Sequence, residues 1–283
     1  MRVLILSDGK AGHLNQSIAF AKLKGLEFDV LEFQNSLKPL TYLLDFLGIY
    51  INLFALHVED KNYKAVVSAG SSTYYANRYL AKKLGIKSIA IMMPRGFRLK
   101  GFDYILALKH DNPKQANNII TLPIALATSE AKGHIKDSGV PSLGIILGGD
   151  NSVFEMKKED IKEALDSIFA NYPEHLKYIT TSRRTPKEVE ELLEDYSFDY
   201  KLIYSQNPSF NPIPDFLKLC SELFITIDSA SMLSEARANS EAKIHIIELK
   251  SDKKDTKFHR LAKQVEELSS KFDFKPYLKR IEL

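Results

Sequence analysis

Short, continuously apolar runs recur along the chain, and most are followed by stretches whose apolar positions return every three or four residues. In the first half the runs are VLILS (3–7), FDVLEF (28–33), KAVVSAG (64–70), KSIAIMM (87–93), DYILAL (103–108) and NIITLP (118–123). In the second half they are SLGIILGG (142–149), KYITTS (177–182), YKLIYS (200–205), ELFITID (222–228) and KIHIIEL (243–249). Helical patterns lie between them at 14–24, 72–84, 158–171, 186–195, 214–221, 231–239 and 256–270. A strand that is apolar along its whole length has both faces buried, as parallel strands covered by helices do. The pattern predicts an α/β protein made of two doubly wound, Rossmann-like domains.

The alternation fails at 126–141, ATSEAKGHIKDSGVPS, a polar stretch holding Gly133, Gly139 and Pro141. Such a stretch reads as a linker, so the expected domains are 1–135 and 140–283, with the last helix free to pack back on the first. One segment departs from the pattern. LKPLTYLLDFLGIYINLFAL (37–56) is strongly apolar but broken by Asp45, Gly48 and Asn52. A membrane-spanning helix needs about 20 mostly apolar residues without such breaks. Core packing is therefore the first reading of 37–56, and an apolar surface for a membrane or a lipid-linked substrate the second.

Of the 283 residues, 45% are hydrophobic and 27% charged, ordinary values for a globular protein. The net charge of +3 gains meaning when divided. Residues 1–139 carry 18 Lys/Arg against 11 Asp/Glu, and residues 140–283 carry 21 against 25. A basic first half suits an anionic acceptor or an anionic membrane surface, and solvated lysines account for it equally well. Nucleic acid is not an expected partner. The single cysteine, Cys220, excludes an internal disulfide and reads as a buried thiol. Met1-Arg2 leads straight into VLILS, too short for a secretory signal core, so the expected location is the cytoplasm, with the periphery of the inner membrane as its refinement.

Two nucleotide signatures are missing. No Gly-x-Gly-x-x-Gly follows the first run, and Gly9-Lys10 is followed by Ala11 rather than Ser or Thr. There is also no Asp-x-Asp and no metal-ligand spacing of His, Cys and carboxylate. No metal and no cofactor are expected, and a bound diphosphate would be neutralised by backbone dipoles, Lys and Arg. ITIDSASMLSEA (225–236) offers such dipoles: a strand gives way to Asp228, Ser229 and Ser231 at a predicted helix start, where free N–H groups favour a phosphate. Glu235 follows one to two helical turns later, within reach of a sugar hydroxyl. LGGDNS (147–152) places Gly148 and Gly149 after a buried strand, where a ligand can approach closely. TTSRRTP (180–186) adds Ser182 and Arg183 as phosphate donors, and only one of the adjacent arginines is expected to meet a ligand.

In the first half, SDGKAGHLNQS (7–17) carries Asp8, Gly12 and His13 at the edge of the sheet where open α/β folds bind ligands. His13 suits a general base acting on a hydroxyl, with Asp8 beside it. A tight turn with a surface histidine is the competing reading. Arg95 in MMPRG (92–96) and His110 and Asp111 in LKHDNP (108–113) end further strands on the same edge. They are candidate acceptor-side residues, each with a structural role as the alternative.

Taken in order, SDGKAGHLNQS, the Pro-Arg of MMPRG, KHD, LGGDNS, TSRRTP and TIDSASMLSEA resemble the plant mitochondrial fission proteins called elongated-mitochondria proteins, a family with many bacterial members. The resemblance implies a GT-B glycosyltransferase-like architecture of two Rossmann-like domains facing across a cleft. SASMLSEA (229–236) also looks like the donor-site helix of the lipid-linked peptidoglycan N-acetylglucosaminyltransferase. That likeness implies phosphate contacts from Ser229, Ala230 and Ser231 and a ribose contact from Glu235. Gly12-His13 resembles the end of the same enzyme's glycine-rich loop, although this chain lacks its consecutive glycines.

Residues and resemblance together lead to a metal-independent glycosyltransferase using a nucleotide-diphospho-sugar, with a lipid-linked or cell-envelope glycan as acceptor. A nucleotide-sugar epimerase or hydrolase on the same fold stands second and needs acid and base carboxylates, for which Asp8 and Asp111 are the candidates. A non-enzymatic interaction protein that keeps the fold stands third.

Overall fold

A computed structural model describes residues 1–59 and 61–283. It divides into two compact units: residues 1–128 with 273–283, and residues 129–272. In the first unit, β1 (Arg2–Ser7), α1 (Ala11–Leu23), β2 (Glu27–Glu32), α2 (Lys38–Leu47), β3 (Tyr63–Ala69), α3 (Tyr74–Leu84), β4 (Lys87–Ile91), β5 (Tyr104–Leu108) and β6 (Ile119–Leu122) succeed one another. The six strands form one parallel sheet in the order β2-β1-β3-β4-β5-β6. Val3 to Leu6 and Ala65 to Val67 in the central strands are buried, as their unbroken apolar sequence requires.

The second unit runs β7 (Ser142–Ile146), α4 (Lys158–Asn171), β8 (Leu176–Thr180), α5 (Lys187–Leu192), β9 (Tyr200–Leu202), α6 (Ile213–Leu219), β10 (Glu222–Thr226), α7 (Ala230–Asn239), β11 (Lys243–Ile247) and α8 (Lys257–Glu267). Its five strands are also parallel, ordered β11-β10-β7-β8-β9. The architecture is thus GT-B-like in its parts, two Rossmann-type parallel sheets in one chain. Cys220 is buried, and burial pushes its thiol up to about 12, so it is an inert packing residue.

The units divide at 128/129 and 272/273, beside expected domains of 1–135 and 140–283 with the last helix packing back on the first. The polar stretch after Ser129 belongs to the second unit because the Asp215 carboxylate accepts the backbone N–H groups of Lys132, Gly133, His134 and Ile135 at 2.7–3.3 Å. Burial alone would raise the pKa of Asp215, but these four bonds outweigh it and hold the group below the ordinary carboxylate value. The chain end belongs to the first unit. A last short helix, α9 (Lys275–Leu278), and the residues after it offer carbonyls to Lys24, whose Nζ donates to Leu278 O and Ile281 O at 3.1 and 2.8 Å.

Segment 37–56 divides the first reading of it: Leu56 lies in the core with Phe54 packed beside it, as core packing predicts, whereas α2 turns its apolar side chains out. Only Thr41 and Asp45 of α2 are buried, one turn apart on the inner face, while Leu40, Leu43 and Leu47 face solvent. Asp45 is drawn inward by two buried arginines, Arg98 at 2.6 Å and Arg78 at 3.1 Å. The guanidinium of Arg98 lies over the rings of Tyr42 and Tyr74, and that of Arg78 over Phe102. Arg78 also donates to Tyr50 Oη and Lys100 O, and Arg98 to Ser71 O. A buried carboxylate with two such partners outweighs the apolar residues in setting which way the helix turns. Asp45→Ala would leave two buried guanidiniums without their counter-charge, and urea denaturation is expected to show a loss of about 3–5 kcal/mol.

Candidate functional site

Each sheet reverses its strand order at one place, and ligands of open α/β sheets bind beyond the strand ends there. In the first unit the reversal lies between β1 and β3, so the loops concerned are 8–10 and 70–73. Asp8 and His13 come together in this place. His13 Nδ1–H donates to the Asp8 carboxylate at 3.0 Å, and Ser72 Oγ donates to it at 2.5 Å. An ionised carboxylate only accepts, so the proton of the neutral imidazole sits on Nδ1 and Nε2 carries the lone pair. Burial works to raise the pKa of Asp8; the bonds from Ser72 and His13 prevail and hold it below the usual range.

Gly70 makes room for this arrangement. It adopts φ +86°, and a Cβ there would run into the His13 ring. Both Gly70 and Ser72 lie in SAGSSTYYANR (68–78), a stretch that the sequence marks, with MMPRG and LKHDNP, as ending a strand on the candidate edge, without picking out either residue. Gly12 lies in the first turn of α1 with open space around it. Arg95 is exposed after β4, whereas His110 is buried in the turn Lys109–Asp111 with Nε2 3.8 Å from the Asp111 carboxylate.

In the second unit the reversal lies between β7 and β10, bringing loops 147–152 and 227–231 together. Their centre is Asp228, which is buried. Its carboxylate accepts the Gly149 N–H at 3.0 Å and pairs with Arg184 Nη2 at 2.6 Å, while its carbonyl accepts from Asn151 Nδ2 at 3.1 Å. Arg184 Nη1 donates to the carbonyls of Gly149 and Asp150. A Cβ on Gly148 would meet the Asp228 carboxylate, and one on Gly149 the backbone of Arg184. The two glycines therefore admit the protein's own loops at close range. Ser182 Oγ donates its one proton to Gly148 O at 2.6 Å and accepts from Arg184 N–H, so it anchors the same junction.

Of the adjacent arginines, Arg184 is committed to Asp228 and Arg183 is exposed. Arg183 and Ser182 line a cavity of about 280 Å³ whose apolar walls include Tyr204, Phe210, Ile213 and Met232. Met232 belongs to the first turn of α7, and its N–H donates to Oγ of Ser229, the N-cap residue. Ser231 is exposed beside it. Glu235 lies one turn further along the Ser231 face, mostly buried, with Oε1 accepting from Ser129 Oγ at 3.0 Å. Burial raises its pKa, and the Ser129 bond offsets only part of that. Among the described residues, no three His, Cys, Asp or Glu side chains converge so as to hold a metal ion.

The two arginines are separable by stability. Arg184→Ala leaves Asp228 buried without its counter-charge. Because Arg184 is about one-third exposed, solvent compensates in part, and a loss of about 2–3 kcal/mol is expected in chemical denaturation. Arg183→Ala is expected to stay within about 0.5 kcal/mol of the parent.

Residues 11–281 match the family model for mitochondrial fission ELM1. Among solved structures, the Escherichia coli ADP-heptose lipopolysaccharide heptosyltransferase II has a TM-score of 0.50 at 12% identity, over 94% of this chain and 99% of that one. A structure described as the glycotransferase of kitacinnamycin also gives 0.50, at 11% identity over 99% and 88%. The UDP-GlcNAc 2-epimerase of Neisseria meningitidis, bound to UDP-GlcNAc, gives 0.48 at 11% identity over 98% and 96%. No curated protein sequence is matched. The two matches at 0.50 share the fold of this chain, and the family match extends across both units: the chain belongs to the mitochondrial fission ELM1 family.

Proposed function

We propose that this chain is a metal-independent glycosyltransferase that uses a nucleotide-diphospho-sugar donor, with a lipid-linked or cell-envelope glycan as acceptor. The observation carrying this reading is the convergence, at the strand-order reversal of the second unit, of the α7 N-terminus, the exposed Arg183 and an apolar-walled cavity. The cavity suits a nucleobase in size and lining. The N–H groups at Ser229, Ala230 and Ser231 and the Arg183 guanidinium suit a diphosphate. Glu235 suits a ribose hydroxyl, while Gly148, Gly149 and Ser182 hold the loops that shape the place. The heptosyltransferase named above is a nucleotide-sugar enzyme of the same fold, which agrees with the reading.

His13 is the base in this proposal. Its Nε2 accepts the proton of an acceptor hydroxyl, the hydroxyl oxygen forms a bond to the anomeric carbon, and the bond from that carbon to the diphosphate breaks. The leaving diphosphate takes the electron pair and its charge is met by the helix N-terminus and Arg183. Asp8 stabilises the imidazolium that results. On the acceptor side the candidates are Gly12, Arg95, His110 and Asp111. An epimerase is the weaker reading because Asp8 is already occupied by His13 and Ser72.

Glu235 gives the sharpest test, because its roles in stability and binding have opposite signs. Its folded pKa lies above the unfolded value, so the folded state holds the proton more tightly. Stability is therefore greatest below the ordinary glutamate value and declines as pH rises through the interval up to the folded pKa. Glu235→Gln removes this penalty, and its Tm at neutral pH is expected to exceed the parent's. The same variant is expected to bind nucleotide roughly ten- to a hundredfold more weakly, the loss of one charge-assisted hydrogen bond. Thermal-shift and calorimetric titrations with UDP, GDP, CMP, ADP and their sugars measure both effects. Absence of a response to every nucleotide would favour a non-enzymatic role, and mass spectrometry of products with the responding sugar separates transfer from epimerisation.

A further inference from the structure

Helix α2 is amphipathic in reverse. Its acidic residue, Asp45, points into the first unit, and Leu40, Leu43 and Leu47 point out. Among the described residues, eight of the eleven large apolar side chains that remain exposed fall between positions 37 and 51. Leu43 and Leu47 are each 55% exposed, and Ile49 and Ile51 continue the surface beyond the helix at 45% and 51%. A cluster of this kind marks a surface that meets something other than water. The arrangement is also enforced: rotating α2 to bury its leucines would pull Asp45 away from Arg78 and Arg98.

The charges around the face point to its occupant. From 33 to 58 the sole acidic residue is Asp45, already paired and buried, and from 61 to 102 there is none against nine Lys and Arg. Lys38 is exposed at the first position of α2. Lys82 is exposed on α3, with Nζ 5.9 Å from the ring of Tyr50 just beyond α2. Arg95 is exposed beside the turn Gly96–Leu99, which packs on α2. Two copies of the chain meeting through this face would bring these cations together. An anionic lipid surface would neutralise them and accept the leucines.

We propose that the exposed face of α2, with the chain up to residue 51, docks on the surface of an anionic phospholipid bilayer. The helix, about 15 Å long, lies in the interface without crossing it; no helix among the described residues is long and apolar enough to span a membrane. Leu40, Leu43 and Leu47 enter the acyl boundary, and Lys38, Lys82 and Arg95 meet the headgroups. Neither signal is sufficient by itself for firm attachment, so binding is reversible and needs both. This inference is independent of the sugar-transfer reading.

The test is cosedimentation of the full chain with vesicles of phosphatidylcholine plus phosphatidylglycerol, against vesicles of phosphatidylcholine alone. Binding is expected to the mixed vesicles, weakened by salt. Leu43→Gln with Leu47→Gln, and separately Lys38→Glu with Lys82→Glu, should each lower the bound fraction roughly tenfold or more while leaving circular dichroism unchanged. No binding by the parent protein, equal binding to neutral vesicles, or unchanged binding by either folded double variant would overturn the proposal. So would a parent dimer, seen by light scattering, that the leucine variants dissolve, because a second copy would then be the occupant.

Discussion

The Asp228 carboxylate is the point on which the candidate donor region depends. It is fully buried, directly after the strand that borders the order reversal, and it takes the Gly149 N–H and the Arg184 guanidinium together. Three loops, from β7, β8 and β10, are thereby fixed to one another. The cost of burying a charge is met by pairing, since a desolvated carboxylate is tolerable only with a close counter-charge and hydrogen bonds. The same pairing occupies Arg184, so in the proposed reading charge compensation for a diphosphate falls to Arg183 and the α7 dipole.

An aspartate also follows β1, one of the two strands that border the order reversal of the first unit, and the contrast between the two is chemical. Asp228 is neutralised by a permanent cation and acts as an architectural fixture. Asp8 is bonded to a histidine and a serine hydroxyl, so it engages Nδ1 of the imidazole it organises and leaves Nε2 as the outward nitrogen. One carboxylate stiffens a binding surface; the other presets a tautomer.

Much of this was legible in the sequence because the central strands are apolar on both faces and most runs end in small or polar residues. The eleven strand-like runs all correspond to strands, and the loops carrying Asp8, His13, Gly148 and Ser229 follow from that alignment alone. What was not legible depended on partners far away in the chain. Nothing in TTSRRTP says that Arg184, rather than Arg183, is the one tied to a carboxylate 44 residues on. The glycines at 148 and 149 were read as room for a ligand, and the room is filled by Asp228 and the backbone of Arg184. Within segment 37–56 the part up to residue 51 departs from core packing because the phase of its apolar residues, rather than their number, decides which side is buried. Thr41 and Asp45 share a face at a spacing of four, but the arginines that draw that face inward lie 33 and 53 residues further on.

Four aspartates, at positions 8, 45, 215 and 228, each hold irregular chain or a helix in place, and two of them, Asp8 and Asp215, link these devices to pH. Asp8 and Asp215 are held below the ordinary carboxylate value. Each therefore contributes stability that is present above the unfolded pKa and is lost as pH falls through the folded one. Glu235 acts in the opposite sense, over the interval above the ordinary glutamate value. The buried positions of both sheets' strands are mostly apolar and include no carboxylate. Acid therefore acts first on the loop around His13 and on the 132–135 segment, and the strands that position them are affected only through those losses. The site geometry and the sheet cores are in this sense held by different forces, hydrogen-bonded charge in one case and apolar burial in the other.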